Sequence, residues 1–269
     1  MKASSLFAKR KPQKAKDLAR KGVGVTPTVK RLLIVCEGTK TEPHYFEALK
    51  AAYRDQLKGV DILPSRGSAP MSIAEYAEKL YGMDLAAVGG DKSLAFDAVY
   101  CVFDRDSHDT FDAAMVRIAA LKAGKAKLPI HAIASYPCFE FWLILHFVFT
   151  RSPFAKTSKK SVGDMVKKKL CDYPGFEGYQ ESERNAYALT KEMLRDGIKH
   201  SKLAVKDALD ESEPNPSTHV HELVESLLDV VRNSLLAAWK KQEHIFGQAD
   251  SQLKEINAIE STLGRAKTT

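Results

Sequence analysis

The chain has 269 residues, of which 44% are apolar and 28% charged, and a formal net charge of +7. These proportions suit one large or two small folded domains. They exclude a fully disordered chain, a collagen-like repeat and a disulfide-stapled miniprotein. The charge is unevenly placed: residues 1–29 hold eight basic side chains against the single Asp17, and acids and bases balance over the rest.

Residues 1–29 read as a basic leader outside the folded body. It is either an arm that attracts polyanions without choosing among them or a solvated terminus that aids solubility. It has no apolar segment of the secretory type, and its basic, acid-poor composition leaves an organellar transit peptide open. The longest apolar run, Phe141–Phe149, is interrupted by His146 and falls short of the ~20 residues a membrane span needs. Cys36, Cys101, Cys138 and Cys171 are far apart and form no CxxC pair, so neither a zinc ribbon nor a thioredoxin-type site is indicated. A reduced cytoplasmic setting without membrane association is expected.

In chain order, the branched apolar run Arg31–Cys36 predicts a first strand. It enters a Gly-containing turn and then a helix in which Tyr45, Phe46, Leu49, Tyr53 and Leu57 recur at helical intervals. Thr39 and Glu42 have capping-box spacing, and Pro43 suits a first helical turn. Gly59–Pro64 predicts a second strand. Ile73, Tyr76, Ala77, Leu80 and Tyr81 mark a second helix. Phe96–Phe103 predicts a third strand, and Phe111, Met115, Ile118 and Leu121 a third helix closed by Gly124. Pro129–Ser135 predicts a fourth strand, followed by an apolar helix over Cys138–Val148. Strict alternation over residues 30–150 predicts a parallel α/β sheet with helices on both faces. Ligands of such sheets bind outside the carboxyl ends of the strands.

Residues 151–269 show no further strand pattern. Helical periodicity at Tyr187–Leu194 and His219–Trp239 predicts a helical extension packed on the core. Asn215–Thr218 supplies turn and capping chemistry before the second of these helices. The Lys-rich stretch 156–169 reads as a solvated helix face in preference to a phosphate track.

Three acidic motifs fall at predicted strand ends. Glu37 leaves the first strand above a helix N-terminus, where it either faces a ligand or complements the dipole. Asp104 and Asp106 are two residues apart at the end of the third strand, so they point the same way. Paired hard oxygen donors suit Mg²⁺, although turns also use Asp freely. Glu140 opens the helix after the fourth strand, either as a dipole partner or as a further carboxylate for the same metal. Lys40, His44 and His108 are adjacent polar candidates; His108 would touch substrate or act as a base, or is a surface loop residue. Asn215, Thr218 and His221 form a polar cluster that capping largely explains. GxxxxGK[ST], GxSxG, HExxH and GxGxxG motifs are absent from the sequence.

Residues 34–46 (IVCEGTKTEPHYF), 102–108 (VFDRDSH), 137–147 (PCFEFWLILHF) and 215–218 (NPST) together resemble the RloB-like family, in order and spacing, across roughly residues 30–240. That family is related to the TOPRIM folds of topoisomerases, primases and OLD-type nucleases, which share a strand-end glutamate and a later DxD pair. Those positions correspond here to Glu37 and to Asp104 and Asp106. The resemblance implies a TOPRIM-like parallel sheet, a role in prokaryotic anti-phage defence, and a separate AAA-type ATPase partner of the RloA kind.

The expected activity is phosphodiester hydrolysis of DNA or RNA. Glu37, Asp104, Asp106 and Glu140 would hold Mg²⁺ or Mn²⁺, and Lys40 and His108 would touch substrate. A non-catalytic nucleic-acid-binding or regulatory subunit is the alternative, and nucleotidyl transfer at the same carboxylates is a third reading.

Overall fold

A computed structural model describes residues 29–67, 69–105, 109–181, 185–246 and 250–265. The elements follow in the order β1 (Leu32–Cys36), α1 (Thr41–Ala52), β2 (Val60–Pro64), α2 (Pro70–Ala87), β3 (Ala98–Asp104), α3 (Phe111–Ala123) and β4 (Ile130–Tyr136). There follow α4 (Glu140–Ile144), α5 (Val162–Leu170), α6 (Ala186–Thr190), α7 (Leu194–Glu211), β5 (Ser217–Thr218), α8 (Val220–Phe246) and α9 (Asp250–Thr262).

The five strands lie in the order β2-β1-β3-β4-β5. The first four are parallel, and β5 runs antiparallel to β4, with Ser135 opposite Thr218. The chain leaves β1 for one neighbour, β2, and returns to the other, β3, so the strand order reverses between β1 and β3. In open α/β sheets that reversal opens a crevice at the carboxyl ends.

Alternation along each strand explains the layers. Leu32, Ile34, Cys36, Tyr100 and Val102 face one apolar cluster, which α1 joins through Tyr45, Phe46 and Leu49. Leu33, Val35, Val99, Cys101 and Phe103 face the opposite cluster, covered by Ile73, Ala77 and Leu80 of α2 and by Phe111 and Ile118 of α3. Both faces of β1 and β3 are buried, which is why these strands are continuous apolar runs.

The first cluster does not end with α1. It takes in Trp142 of α4, Val166 of α5, Tyr187 of α6, Ile198 of α7, Leu223, Val224 and Leu227 of α8, and Ile256 of α9. The Tyr45 ring meets Phe46, Phe139, Trp142 and Tyr187 edge to face, with centroids 5.5 to 6.4 Å apart. Residues beyond 151 therefore share one core with the sheet. Full burial of each such large side chain stabilises by roughly 1.5–3 kcal/mol.

The structure differs from the sequence expectation in four places, the first being that α1 closes at Ala52, before Tyr53 and Leu57. The extension contains a strand, β5, which two residues are too few to announce by pattern. The apolar helix expected over Cys138–Val148 is the short α4, because the next bonds tighten to i−3, from His146 N–H to Leu143 and from Phe147 N–H to Ile144. Lys40, not Thr39, is the N-cap of α1, and no side-chain cap bond forms there. The leader, residues 1–28 of it, lies outside the described residues.

At the amino-terminal edge of the sheet, Arg31 grips Asp84 of α2 through both guanidinium nitrogens, at 3.0 and 2.7 Å. Asp84 is only 2% exposed and also accepts from Phe96 N–H at 2.9 Å. The Arg31 guanidinium lies 4.5 Å from the Phe96 ring centroid. One buried acid thus has a forked cation and a backbone donor.

Candidate active site

Three strand ends and the following turns form a cleft of about 350 Å³ at the carboxyl edge of the sheet. Glu37, Gly38 and Lys40 come from the turn after β1, and Thr41 and Glu42 from the first turn of α1. Asp104 ends β3, and Glu140 opens α4 just after β4. Ser161, Gly163 and Lys167 of the α5 region and Glu181 beyond it line the remaining side. The extension therefore completes the walls of the cleft.

Glu37 is held in place by the sheet. Its N–H donates to the Val102 carbonyl at 2.9 Å, and its carboxylate accepts from Asp104 N–H at 2.9 Å. The ends of β1 and β3 are thereby tied through the first acid. Glu42 is 7% exposed. Burial pushes its carboxyl up to about 7, with the fields of Glu140 and Glu37 adding to the shift and its own backbone and that of Gly38 opposing it. A Cβ on residue 38 would lie 2.7 Å from a Glu42 carboxylate oxygen. A side chain at residue 38 would therefore require that carboxylate to shift.

Burial likewise holds the Asp104 carboxyl well above the usual range, reinforced by Glu42, Glu140 and Glu37 and opposed by a hydrogen bond from the Phe139 backbone. Glu140, 4% exposed, accepts from the Tyr179 hydroxyl at 3.4 Å, and the same hydroxyl lies 3.2 Å from Thr41 Oγ1. Burial also raises the Cys138 thiol, with Glu140 and Asp104 contributing, so this cysteine is a protonated wall residue.

On the α5 side, Lys167 pairs with Glu181. Burial opposes the charge on Lys167, but the Glu181 bond and the Glu140 field prevail and raise its pKa. Ser161 and Asp164 form a full capping box at the start of α5, with bonds of 3.1 and 3.0 Å. This roof over the acids is locally well anchored.

The structure brings Glu37, Asp104, Glu140 and Lys40 of the sequence-derived candidates to this cleft. Asp106 and His108 lie outside the described residues. His44 lies on α1 and is not among the cleft-lining residues. Two lining residues were read otherwise in the sequence. Glu42 is a fourth carboxylate of the cleft and not the partner of a Thr39 cap. Lys167 faces the acids and is not on a fully solvated helix face. One signal was available for Glu42: the first turn of a helix that follows a strand sits at the same sheet edge as the strand end. An acid there is a neighbour of Glu37. Of the Asn215, Thr218 and His221 cluster, Thr218 and His221 meet at Ser201, whose Oγ donates to the Thr218 carbonyl at 2.7 Å, and Thr218 Oγ1 accepts from Val220 N–H at 3.3 Å as the capping reading expects. Thr218 Oγ1 bonds Ser135 Oγ at 2.9 Å, and His221 Nδ1 bonds Ser201 Oγ at 2.8 Å, inside the core.

A family model described as RloB-like protein matches residues 32–227. The chain belongs to the RloB-like family. No curated protein and no solved structure matches it. The matched span of this RloB-like chain covers the four parallel strands, β5 and every described cleft-lining residue. The α/β sheet with flanking helices and C-terminal helices is consistent with the TOPRIM-like architecture that the resemblance implies. Among the described residues, no helix is long and apolar enough to cross a membrane.

All five acids of the RloB-like cleft are oxygen donors, the type a hard divalent cation takes, and two of them, Glu42 and Asp104, are raised by burial and by neighbouring acids. Among the described residues, no three His, Cys, Asp or Glu side chains stand in an arrangement that could hold an ion. Asp106, two positions beyond Asp104, is outside that comparison.

Proposed function

We propose that this protein is a divalent-metal-dependent nuclease that hydrolyses phosphodiester bonds of nucleic acid. The observation that carries the reading is the convergence of Glu37, Glu42, Asp104 and Glu140 on one cleft at the point where strand order reverses. Lys40 and Lys167 are the basic side chains lining that cleft, against five acids that include Glu181. Like charges gathered in a half-enclosed space are costly, and a cation relieves the cost.

Glu37, Asp104 and Glu140, with Asp106, would hold Mg²⁺ or Mn²⁺, and Glu42 is a further acid of the same cleft that could join them. When bound, such an ion polarises a phosphoryl oxygen and lowers the pKa of water. The protein's own part is positional. The Asp104 N–H fixes one oxygen of Glu37 at the strand edge. Tyr179 orients Glu140 from the side of the extension. Lys40 and Lys167 offer positive charge to a substrate phosphate that would otherwise be repelled by the acids. The basic leader raises the local concentration of polyanion without selecting among substrates.

The defence setting and a separate AAA-type ATPase partner belong to the same proposal and rest on the family resemblance. Copurification of this chain with a neighbouring ATPase, and a change in its cleavage rate when that ATPase and ATP are added, tests that part.

The cleavage test uses purified protein, single- and double-stranded DNA and RNA, and Mg²⁺ or Mn²⁺. Wild type is expected to cut at least one substrate, and Glu37→Gln and Asp104→Asn are expected not to. Equal cutting by both variants would remove these acids from the reaction. If no substrate is cut, the alternative of a non-catalytic nucleic-acid-binding or regulatory subunit stands in its place. Incorporation of nucleoside triphosphates on a template would identify nucleotidyl transfer.

A further inference from the structure

A second pocket, of about 230 Å³, opens beside the acidic cleft and shares Pro137 and Ser161 with it as common wall. Its other lining residues are Arg105, Tyr136, Lys156, Val162 and Asn215. They come from four places that only the folded chain unites: the end of β3, the end of β4, the approach to α5, and the turn before β5. The antiparallel pairing of Ser217 with Tyr136 brings the Asn215 turn alongside β4.

The chemistry of this pocket differs from that of the cleft. Tyr136, Pro137 and Val162 give it an aromatic and aliphatic floor, and it has no acidic lining residue among those described. Tyr136 is braced edge to face by Phe111 at 5.2 Å, and the Arg105 guanidinium lies 4.8 Å from the same Phe111 ring and 3.6 Å from the exposed Asp112 carboxylate. Both side chains are thus held in place from below. Lys156 is exposed and makes no ion pair among the described residues. Asn215 donates through Nδ2 to the Phe154 carbonyl at 3.1 Å, which fixes its amide orientation. The pocket is too small for a large ligand, yet it offers a planar apolar group the Tyr136 ring and an anionic group Lys156, with Arg105, which it shares with Asp112, beside it.

We infer that this pocket receives an unpaired base of the nucleic acid, next to the phosphate held in the acidic cleft, with Arg105 and Lys156 meeting the adjoining backbone. The inference rests on the nuclease reading and sharpens it. The substrate is a single strand, or a strand locally unpaired, because a base inside a duplex cannot turn its face to Tyr136. Aromatic faces accept any base, so the pocket selects for strandedness before sequence.

The test is fluorescence anisotropy with the full chain in EDTA, which separates binding from cutting. The probes are labelled strands of about ten nucleotides, within the range single-strand sites occupy: oligodeoxyadenylate, oligoriboadenylate, a matching duplex, and a backbone of equal length made of abasic sites. Wild type is expected to bind an intact strand about fivefold or more tightly than the abasic backbone, as one stacked base provides. Tyr136→Ala and Val162→Asp should bring that ratio close to one, while Tyr136→Phe keeps it. Lys156→Ala, on an exposed side chain that folding does not need, should weaken intact and abasic strands alike and flatten the salt dependence. The tighter of the two intact strands then names the sugar.

No measurable binding of a single strand, a ratio near one in wild type, or an unchanged ratio in folded Tyr136→Ala and Val162→Asp would overturn the inference. So would equal affinity for strand and duplex. Base-dependent binding without cleavage under either metal would overturn the nuclease reading and leave the pocket. Cleavage that depends on Glu37 with base-independent binding would do the reverse.

Discussion

The two edges of the sheet treat buried acids in opposite ways. At the amino-terminal edge Asp84 is matched by the forked Arg31 and by a backbone donor. At the carboxyl-terminal edge Glu37, Glu42, Asp104 and Glu140 share one cleft, and burial and mutual repulsion raise Glu42 and Asp104. A buried charge with its own partner anchors structure, whereas several like charges kept together cost stability that a ligand can recover. On the proposed nuclease reading, the difference separates a structural acid from a functional one without reference to any motif.

The comparison is tested most severely by activity. Glu37→Gln or Asp104→Asn should lower cleavage by roughly 10²–10⁴-fold, a range common for essential acid and base groups. The melting temperature should stay the same or rise, because one repelling charge is removed. A large fall in stability would place these acids with Asp84.

At the other edge the prediction inverts. Arg31→Ala leaves Asp84 buried beside an empty place and should cost about 3–5 kcal/mol in a denaturant titration. Cleavage per folded molecule should be preserved. Replacing both residues with apolar ones should recover much of the loss, and a double variant as unstable as the single would show that the pair is not what Asp84 depends on.

A smaller effect is legible in pH. The Glu42 carboxyl, raised from 4.5 to about 7, keeps its proton in the folded state over a window in which the unfolded chain has lost it. The folded state then binds more protons, so stability falls as pH rises from about 4.5 to 7. The metal-free protein should lose roughly 1–3 kcal/mol across that window, and Glu42→Gln should flatten the slope. Saturating Mg²⁺ should flatten it too. A slope indifferent to the substitution would mean that Glu42 is relaxed in the cleft.

The smallest expected change is at the join with the extension. Tyr179→Phe removes the hydroxyl shared by Thr41 and Glu140 and should cost about 0.5–1.5 kcal/mol. Cleavage should fall severalfold, with substrate affinity unchanged. An activity equal to wild type would make the extension a passive wall.

Much of this was legible in the chain. β1 to β4 announce themselves because strands buried on both faces must be continuous apolar runs. Glu37, Asp104 and Glu140 were visible because each follows such a run, and strand ends on one parallel sheet share an edge. Glu42 was harder to see, since a glutamate in a first helical turn has an ordinary explanation in capping. Its role depends on which way the carboxylate turns, and helical periodicity does not say. Lys167 is the first of three consecutive lysines, 167–169, and the sequence pattern does not say which of them meets the acids.

The sequence by itself determined the alternating α/β architecture, the edge on which the acids gather and the family to which the chain belongs. Those follow from local apolar patterns and short motifs, which need no knowledge of distant contacts. Tertiary structure alone decided that residues beyond 151 complete the cleft, that β5 extends the sheet, and that Tyr136 and Asn215 share a pocket. These depend on contacts between segments up to about 140 positions apart, such as Thr41 with Tyr179 and Glu181. Side-chain packing, and no local propensity, selects them.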